Sequence, residues 1–163
     1  MIKKYGQNNL SRTQIKNRCK KFVKKTCNLI PEVDFCNIWY YNFREEKIYI
    51  NVDEQIGKNE QIALDFFQKI TQTNHSLFLY SFLHEIGHFL DDSFSNHQSY
   101  NEKKLKEYRE YKIIIETALR ENLISYEEAL ELYYEEETET KANEYMISLI
   151  NNFPKEIKIF NTF

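Results

Sequence analysis

Apolar side chains recur every three or four positions along most of the chain, and this spacing predicts a protein made largely of helices. In two segments, 99–102 and 125–128, a serine stands three residues before a glutamate, a pattern that marks helix starts. Pro31 and Pro154 mark helix ends. The predicted helices span about residues 11–28, 59–72, 75–93, 100–121 and 126–151, whereas 155–163 has no clear periodicity.

The segment 47–52 instead places Ile and Val at every second position, which is typical of a half-buried β-strand. An aromatic run at 35–43 precedes it, and the polar stretch 44–46 separates the two. We therefore expect a small antiparallel β-hairpin. Three glycines and two prolines are too few for the tight turns of a many-stranded sandwich. The predicted fold class is α+β, dominated by helix.

A chain of 163 residues has the length of one ordinary domain, and its 42% of hydrophobic residues suffices for a core. We expect a single domain over 1–163, with a basic N-terminal helix in 1–31 and the functional core in 35–151. The three cysteines form no CxxC pair, which favours a reducing compartment. No apolar leader is visible, and no segment approaches the ~18 apolar residues of a membrane span. A cytoplasmic protein without membrane association is expected.

Charge is distributed unevenly, although the net charge is only −3. Residues 1–31 contain nine basic and no acidic side chains, and residues 121–144 contain nine glutamates against the single Lys141. The two blocks are either solvated helix faces that attract each other or contact surfaces for charged partners. A nucleic-acid contact is disfavoured, because no DNA-reading motif surrounds the basic residues.

The segment His84-Glu85-Ile86-Gly87-His88 is an HExxH motif and the most specific pattern in the chain. Histidines four apart on a helix share one face, so both imidazoles can reach a single metal ion. Glu85 lies beside them and is placed to take a proton from a water molecule that the ion has acidified. This is the chemistry of zinc peptidases. The alternative is a core helix with two partly buried histidines.

A zinc site needs a third protein ligand. The remaining histidines fit poorly, because His75 points elsewhere on the helix and His97 follows the predicted helix end. A glutamate from the later acidic helix is favoured, and Glu139 is the best candidate. Two neighbouring glutamates compete with it, Glu135 and Glu136.

Two further residues support a site between these helices. Asn143 follows Glu139 by four positions, shares its face, and can hold a ligand imidazole by a hydrogen bond. Gly87 costs about 1 kcal/mol relative to alanine in the middle of a helix, so we expect a packing reason for it. It would allow another backbone to approach the metal-binding face closely.

The HEIGH motif followed by Glu-Thr-Lys-Ala-Asn-Glu-Tyr at 139–145 resembles the gluzincins of the ImmA/IrrE type. These are metallopeptidases of bacteria and mobile elements, several of which cleave repressors or other transcription regulators. The resemblance implies a helix-dominated, zincin-like metallopeptidase domain with a small antiparallel sheet, acting on a protein or peptide substrate. It also implies a Zn²⁺ cofactor held by His84, His88 and Glu139, with Glu85 as catalytic acid and base.

In such enzymes an edge strand beside the site binds the substrate in extended form. In this chain that strand would be 47–52, with Tyr49, Ile50 and Asn51 contacting the substrate. The expectation requires this strand to be an open sheet edge that lies alongside the HExxH helix.

The sequence leaves open which residue stabilises the oxyanion and whether the protein is an enzyme or a binding module. Tyr100, Tyr133 and Tyr134 are equal candidates for stabilising the oxyanion of the reaction. The alternative function is a non-catalytic, zinc-containing module that captures a regulator. The intact Glu85 favours the enzyme, because a structural zinc site needs ligands but no general base.

Overall fold

The computed structural model describes residues 10–52, 56–96 and 100–160, and the predicted helix-dominated α+β class is confirmed there. The helices are α1 (Arg12–Cys27), α2 (Lys58–Thr71), α3 (Leu77–Ser95), α4 (Glu102–Arg120), α5 (Tyr126–Glu135), α6 (Glu137–Asn152) and α7 (Pro154–Phe160). The strands are β1 (Glu32–Phe35), β2 (Tyr40–Asn42) and β3 (Lys47–Ile50). His97 and the serine of the 99–102 pattern lie outside the described residues.

Side-chain caps explain why four of the helices, α1, α3, α4 and α5, begin near their predicted starts. Ser11, Ser76 and Asn101 each accept a hydrogen bond from a backbone amide in the first turn, and they open α1, α3 and α4. Ser125 does the same for α5 and forms the predicted capping box with Glu128. These caps define where α3, the helix with the HExxH motif, and the other three helices begin.

The helix predicted over 126–151 is wrong in one respect, because it is two helices, α5 and α6. Glu136 separates them with an extended backbone (φ −63°, ψ 141°). Its carboxylate accepts hydrogen bonds from the amides of Thr138 and Glu139, so it caps α6. The break places Glu139 in the first turn of α6. After α6, α7 covers the described part, 155–160, of the segment without clear periodicity.

The sheet has three strands in the order β1-β3-β2. Strands β2 and β3 form the predicted antiparallel hairpin, and β1 adds to the other side of β3 in parallel. Strand β3 is therefore central, and the prediction that 47–52 is an open edge is wrong. Alternation along a strand shows which face is buried, but it does not show how many neighbours the strand has.

The three residues assigned to the substrate on that expectation have structural contacts instead. Ile50 is fully buried in the core. The Tyr49 ring stacks on Tyr40 at 4.5 Å between centroids, and the Asn51 amide donates to the backbone carbonyl of Asn37 at 2.9 Å. These side chains stabilise the sheet and the loop beside it.

Helix α3 lies at the centre of the fold, with buried side chains on all its faces from Leu77 to Asp92. It packs against β2 and β3, α2 and α6. A Cβ built on Gly87 would lie only 2.7 Å from the Cα of Ala142 in α6, so the predicted close backbone approach is confirmed. Despite the apolar surface of α3, no helix within the described ranges is long and apolar enough to cross a membrane.

The two charged blocks pair with other parts of the protein. Basic side chains of α1 pair with acids of β1 and α7, for example Lys16 with Asp34 at 2.7 Å. In the acidic block, Glu137 pairs with Lys104 of α4 at 3.0 Å and with Lys141 at 3.1 Å. These contacts differ from the expected attraction between the two blocks.

Candidate metal centre

Helix α3 presents His84 and His88 on successive turns, and the first turn of α6 presents Glu139 opposite them. His84 Nε2 lies 2.8 Å from Glu139 Oε2 and 3.1 Å from His88 Nε2. His88 Nε2 lies 3.4 Å from the same carboxylate oxygen. All three side chains are buried. The predicted convergence of the Glu139 carboxylate on the two imidazoles is present.

Hydrogen bonds behind the imidazoles fix which nitrogen of each ring carries the proton. His84 Nδ1 lies 2.9 Å from the Asn143 Oδ1 acceptor, so Nδ1 is the donor. The Tyr100 hydroxyl donates to the His88 carbonyl and therefore accepts from His88 Nδ1, at 3.0 Å. In the neutral form of either ring, Nε2 is therefore the nitrogen with the lone pair, and it lies on the side that faces Glu139. Asn143 thus has the supporting position predicted for it.

Two tyrosine hydroxyls hold the other oxygen of Glu139. Tyr108 of α4 and Tyr133 of α5 donate to Oε1 at 2.9 and 2.8 Å. Burial by itself would raise the pKa of Glu139, but the neighbouring His88 and His84 outweigh it and hold the pKa well below its usual value. Glu139 is therefore an anion whose second oxygen faces the imidazoles.

The charge of Glu139 has a matching effect on His88. Burial lowers the pKa of His88, yet the nearby carboxylate overcomes this and raises the pKa to about 9. The cluster therefore attracts positive charge to the point between its three side chains. A proton or a metal cation satisfies that demand.

The donor set fits zinc. Two imidazole nitrogens and one carboxylate oxygen form a ligand set of catalytic zinc sites, which keep a fourth position open. With bonds of about 2.0–2.2 Å, tetrahedral zinc separates its ligand atoms by roughly 3.3–3.6 Å. The three ligand atoms are 2.8–3.4 Å apart and need only small shifts. In the part of the chain that the structure describes, these residues are the one His/Cys/Asp/Glu group that could hold a metal ion.

Glu85 is buried beside this group but is not one of its members. Its burial raises the pKa of the carboxyl group, against the lowering effect of the two histidines. The backbone of Tyr41 in β2 adds a smaller lowering effect on the same pKa, so β2 lies close to the Glu85 carboxyl group. A carboxyl group in these surroundings is suited to accept a proton and later release it.

Two cavities meet at Glu85. The larger, about 280 Å³, is lined by His88 and by one face of α4. The smaller, about 210 Å³, is lined by His84 and by side chains of α2 and α5. Trp39, Glu85 and Tyr133 line both. Because they share these residues, the two cavities adjoin at Glu85. Together they form one cleft that runs beside His84, His88 and Glu139. Residues 49–51 do not line either cavity.

The three tyrosines that sequence could not rank have different surroundings. The Tyr100 and Tyr133 hydroxyls are engaged by the candidate metal ligands. The Tyr134 ring lies edge-on to His84 at 5.4 Å between centroids and lines the smaller cavity. Within the described ranges, the Tyr134 hydroxyl has no hydrogen-bond partner.

Tyr108 is the residue of the site that sequence reasoning missed. No motif surrounds it, and its hydroxyl reaches Glu139 only because α4 docks against α5. The tyrosine spacing on α4 offered no way to predict that arrangement.

Comparisons with known proteins found no match: no protein-family model, no curated protein and no solved structure matches this chain. The resemblance to ImmA/IrrE-type gluzincins therefore stays a prediction.

Proposed function

We propose that this protein is a zinc-dependent endopeptidase that acts on a protein or peptide substrate, as its resemblance to the ImmA/IrrE-type gluzincins implies. The observation that carries the proposal is the convergence of one possible ligand atom each from His84, His88 and Glu139, with the Glu85 carboxyl group beside them. A pair of core histidines needs neither a buried anion between them nor a second carboxyl group at the junction of two cavities.

The residues divide the chemistry between them. When bound by His84, His88 and Glu139, zinc supplies a Lewis acid that polarises the scissile carbonyl and acidifies water. Glu85 accepts the proton of the attacking water and passes it to the leaving amide nitrogen. Burial raises the pKa of Glu85, which helps the carboxyl group to hold the proton between these two transfers.

The strand that flanks the substrate is β2 and not β3. Strand β2 is an edge of the three-stranded sheet, it contacts α3, and its Tyr40 and Tyr41 line the larger cavity. An extended peptide beside β2 would lie next to Glu85. This assignment keeps the predicted mode of substrate binding and moves it to the neighbouring strand.

Tyr134 is the residue we assign to stabilisation of the oxyanion. Burial, together with the charges of Glu139 and Glu85, raises the pKa of Tyr134 well above its usual value, so the hydroxyl keeps its proton and can donate it in a hydrogen bond. We expect Tyr134→Phe to lower kcat by roughly 10²-fold, the loss typical of one oxyanion donor. Steady-state kinetics measure the effect. Tyr145→Phe, a half-buried tyrosine outside both cavities, is the control and should retain full kcat.

The proposal is tested by metal analysis and cleavage together. Elemental analysis of the purified protein should give near-stoichiometric zinc in the wild type and in His75→Ala, and little or none in His84→Ala. The zinc-loaded wild type should cleave members of a pooled peptide library, with the products identified by mass spectrometry. Absence of zinc from the wild type would overturn the metal site. Stoichiometric zinc without cleavage would favour the non-catalytic binding module.

A further inference from the structure

One face of α4 forms a wall of the larger cavity. The residues that form it recur at helical spacing and combine cationic with apolar or aromatic side chains: Lys104, Leu105, Tyr108, Arg109 and Lys112. The same cavity is lined by β2, by the loop before that strand, and by Glu85 and His88. A peptide that passes Glu85 on this side would touch the cationic face.

The cations of this face differ in how strongly they are already paired. Lys104 is bound to Glu137 at 3.0 Å. Lys112 is exposed, and its Nζ lies 5.6 Å from the centroid of the Tyr133 ring. Arg109 is exposed, and within the described residues its guanidinium group has no ion-pair or hydrogen-bond partner. Within the described residues, neither Arg109 nor Lys112 forms an ion pair with a carboxylate. Glu85 and Glu139 also line this cavity, but both are buried, and Glu139 is already held by the histidines and tyrosines.

The remaining lining of the cleft contrasts with this face. Elsewhere the larger cavity is lined by the apolar and aromatic side chains Ile38, Trp39 and Phe43 and by the two carboxylates of the site, Glu85 and Glu139. The smaller cavity, on the other side of Glu85, carries the acidic Glu60 and none of these cations. The protein as a whole has a net charge of −3. The positive charge of this face is therefore local and does not reflect the overall charge of the protein.

We propose that the cleft selects peptides that carry an acidic side chain on the α4 side of the bond next to Glu85. A guanidinium group binds a carboxylate through two parallel hydrogen bonds, so Arg109 is the main contact, and Lys112 adds a second positive charge. The apolar and aromatic side chains of the cavity receive the apolar part of the same peptide. The step from binding to cleavage of the peptide rests on the proposed function. The preference for acidic peptides does not.

Binding is tested in the zinc-loaded Glu85→Gln variant, which lacks the base and leaves peptides intact. The probes are three fluorescein-labelled molecules of equal length: an Ala/Leu/Phe peptide with a block of aspartates at one end, the same peptide with lysines, and a single-stranded oligonucleotide. Fluorescence anisotropy gives each Kd. Charge reversal at the wall, Arg109→Glu with Lys112→Glu, is compared with reversal on the outward side of α4, Lys103→Glu with Lys106→Glu, where both lysines are exposed.

The acidic peptide should bind about tenfold more tightly than the basic one, and added salt should reduce the difference. The wall reversal should invert this order, and the outward reversal should leave it unchanged. Equal affinities, an unchanged order after wall reversal, or tighter binding of the oligonucleotide would each overturn the proposal. If the wild type cleaves library peptides without any acidic preference, the proposed substrate class is rejected and the peptidase activity stands. If acidic peptides bind selectively but are not cleaved, the peptidase activity is rejected and the acidic preference stands.

Discussion

Replacing Glu85 with glutamine should leave zinc bound and reduce peptide cleavage by about 10²–10⁴-fold, the range that a general base contributes. Glutamine has the shape of glutamate but cannot take a proton from the attacking water. Glu85 lies outside the group that could hold the metal, so zinc content should not change. Because Glu85 is buried and its pKa is raised by that burial, the neutral side chain should not destabilise the fold.

The matched comparison is Glu139→Gln, the same chemical change at the carboxylate that belongs to the ligand group. Glu139 supplies the anionic ligand atom, so this variant should lose zinc affinity by more than the roughly 10–100-fold that a missing supporting hydrogen bond costs. Zinc titration and cleavage kinetics on both variants separate the two roles. Undiminished cleavage by Glu85→Gln, or unaltered zinc affinity in Glu139→Gln, would contradict the assignment.

Gly87→Ala should lower both the melting temperature and the zinc content. The added methyl group would meet the backbone of Ala142 and not a side chain that can turn away. Overpacking of this kind costs about 3 kcal/mol, against a gain of about 1 kcal/mol in helix propensity. For a chain of this size the remainder corresponds to a fall of roughly 4–8 °C. The displaced α6 would also carry Glu139 and Asn143 away from the histidines.

The sign of the change is what makes this measurement decisive. If α3 and α6 were not in close contact, alanine would stabilise the helix and raise the melting temperature. Gly57→Ala is the control, because a Cβ there meets only the side-chain end of Glu60, which can move. That variant should keep its zinc and melt close to the wild type. A rise in melting temperature for Gly87→Ala would refute the close approach.

Much of the site could be predicted because its residues are fixed by spacing within a helix. The HExxH motif determines that His84 and His88 share a face, and the four-residue step from Glu139 to Asn143 does the same on α6. Gly87 indicates the place where the two helices meet, because a buried glycine inside a helix usually has a packing cause.

The rest could not be predicted because it depends on contacts between distant segments. Strand β3 shows alternation whether it has one neighbour or two, and only the pairing with β1 makes it central. The break at Glu136 lies in a run of good helix formers, and it arises because the Glu136 carboxylate caps α6. Tyr108 reaches Glu139 only through the docking of α4.

Helix α4 bears on the metal and the substrate cleft at the same time. The Tyr108 hydroxyl donates a hydrogen bond to Glu139. Tyr108 lies on the same face of α4 as Arg109 and Lys112. Two ligands that depend on one element are thermodynamically linked, and the factor by which one changes the affinity of the other is reciprocal. A peptide bound against α4 would therefore change the affinity for zinc by the same factor by which zinc changes the affinity for the peptide. Chelator titrations with and without a bound peptide measure that factor.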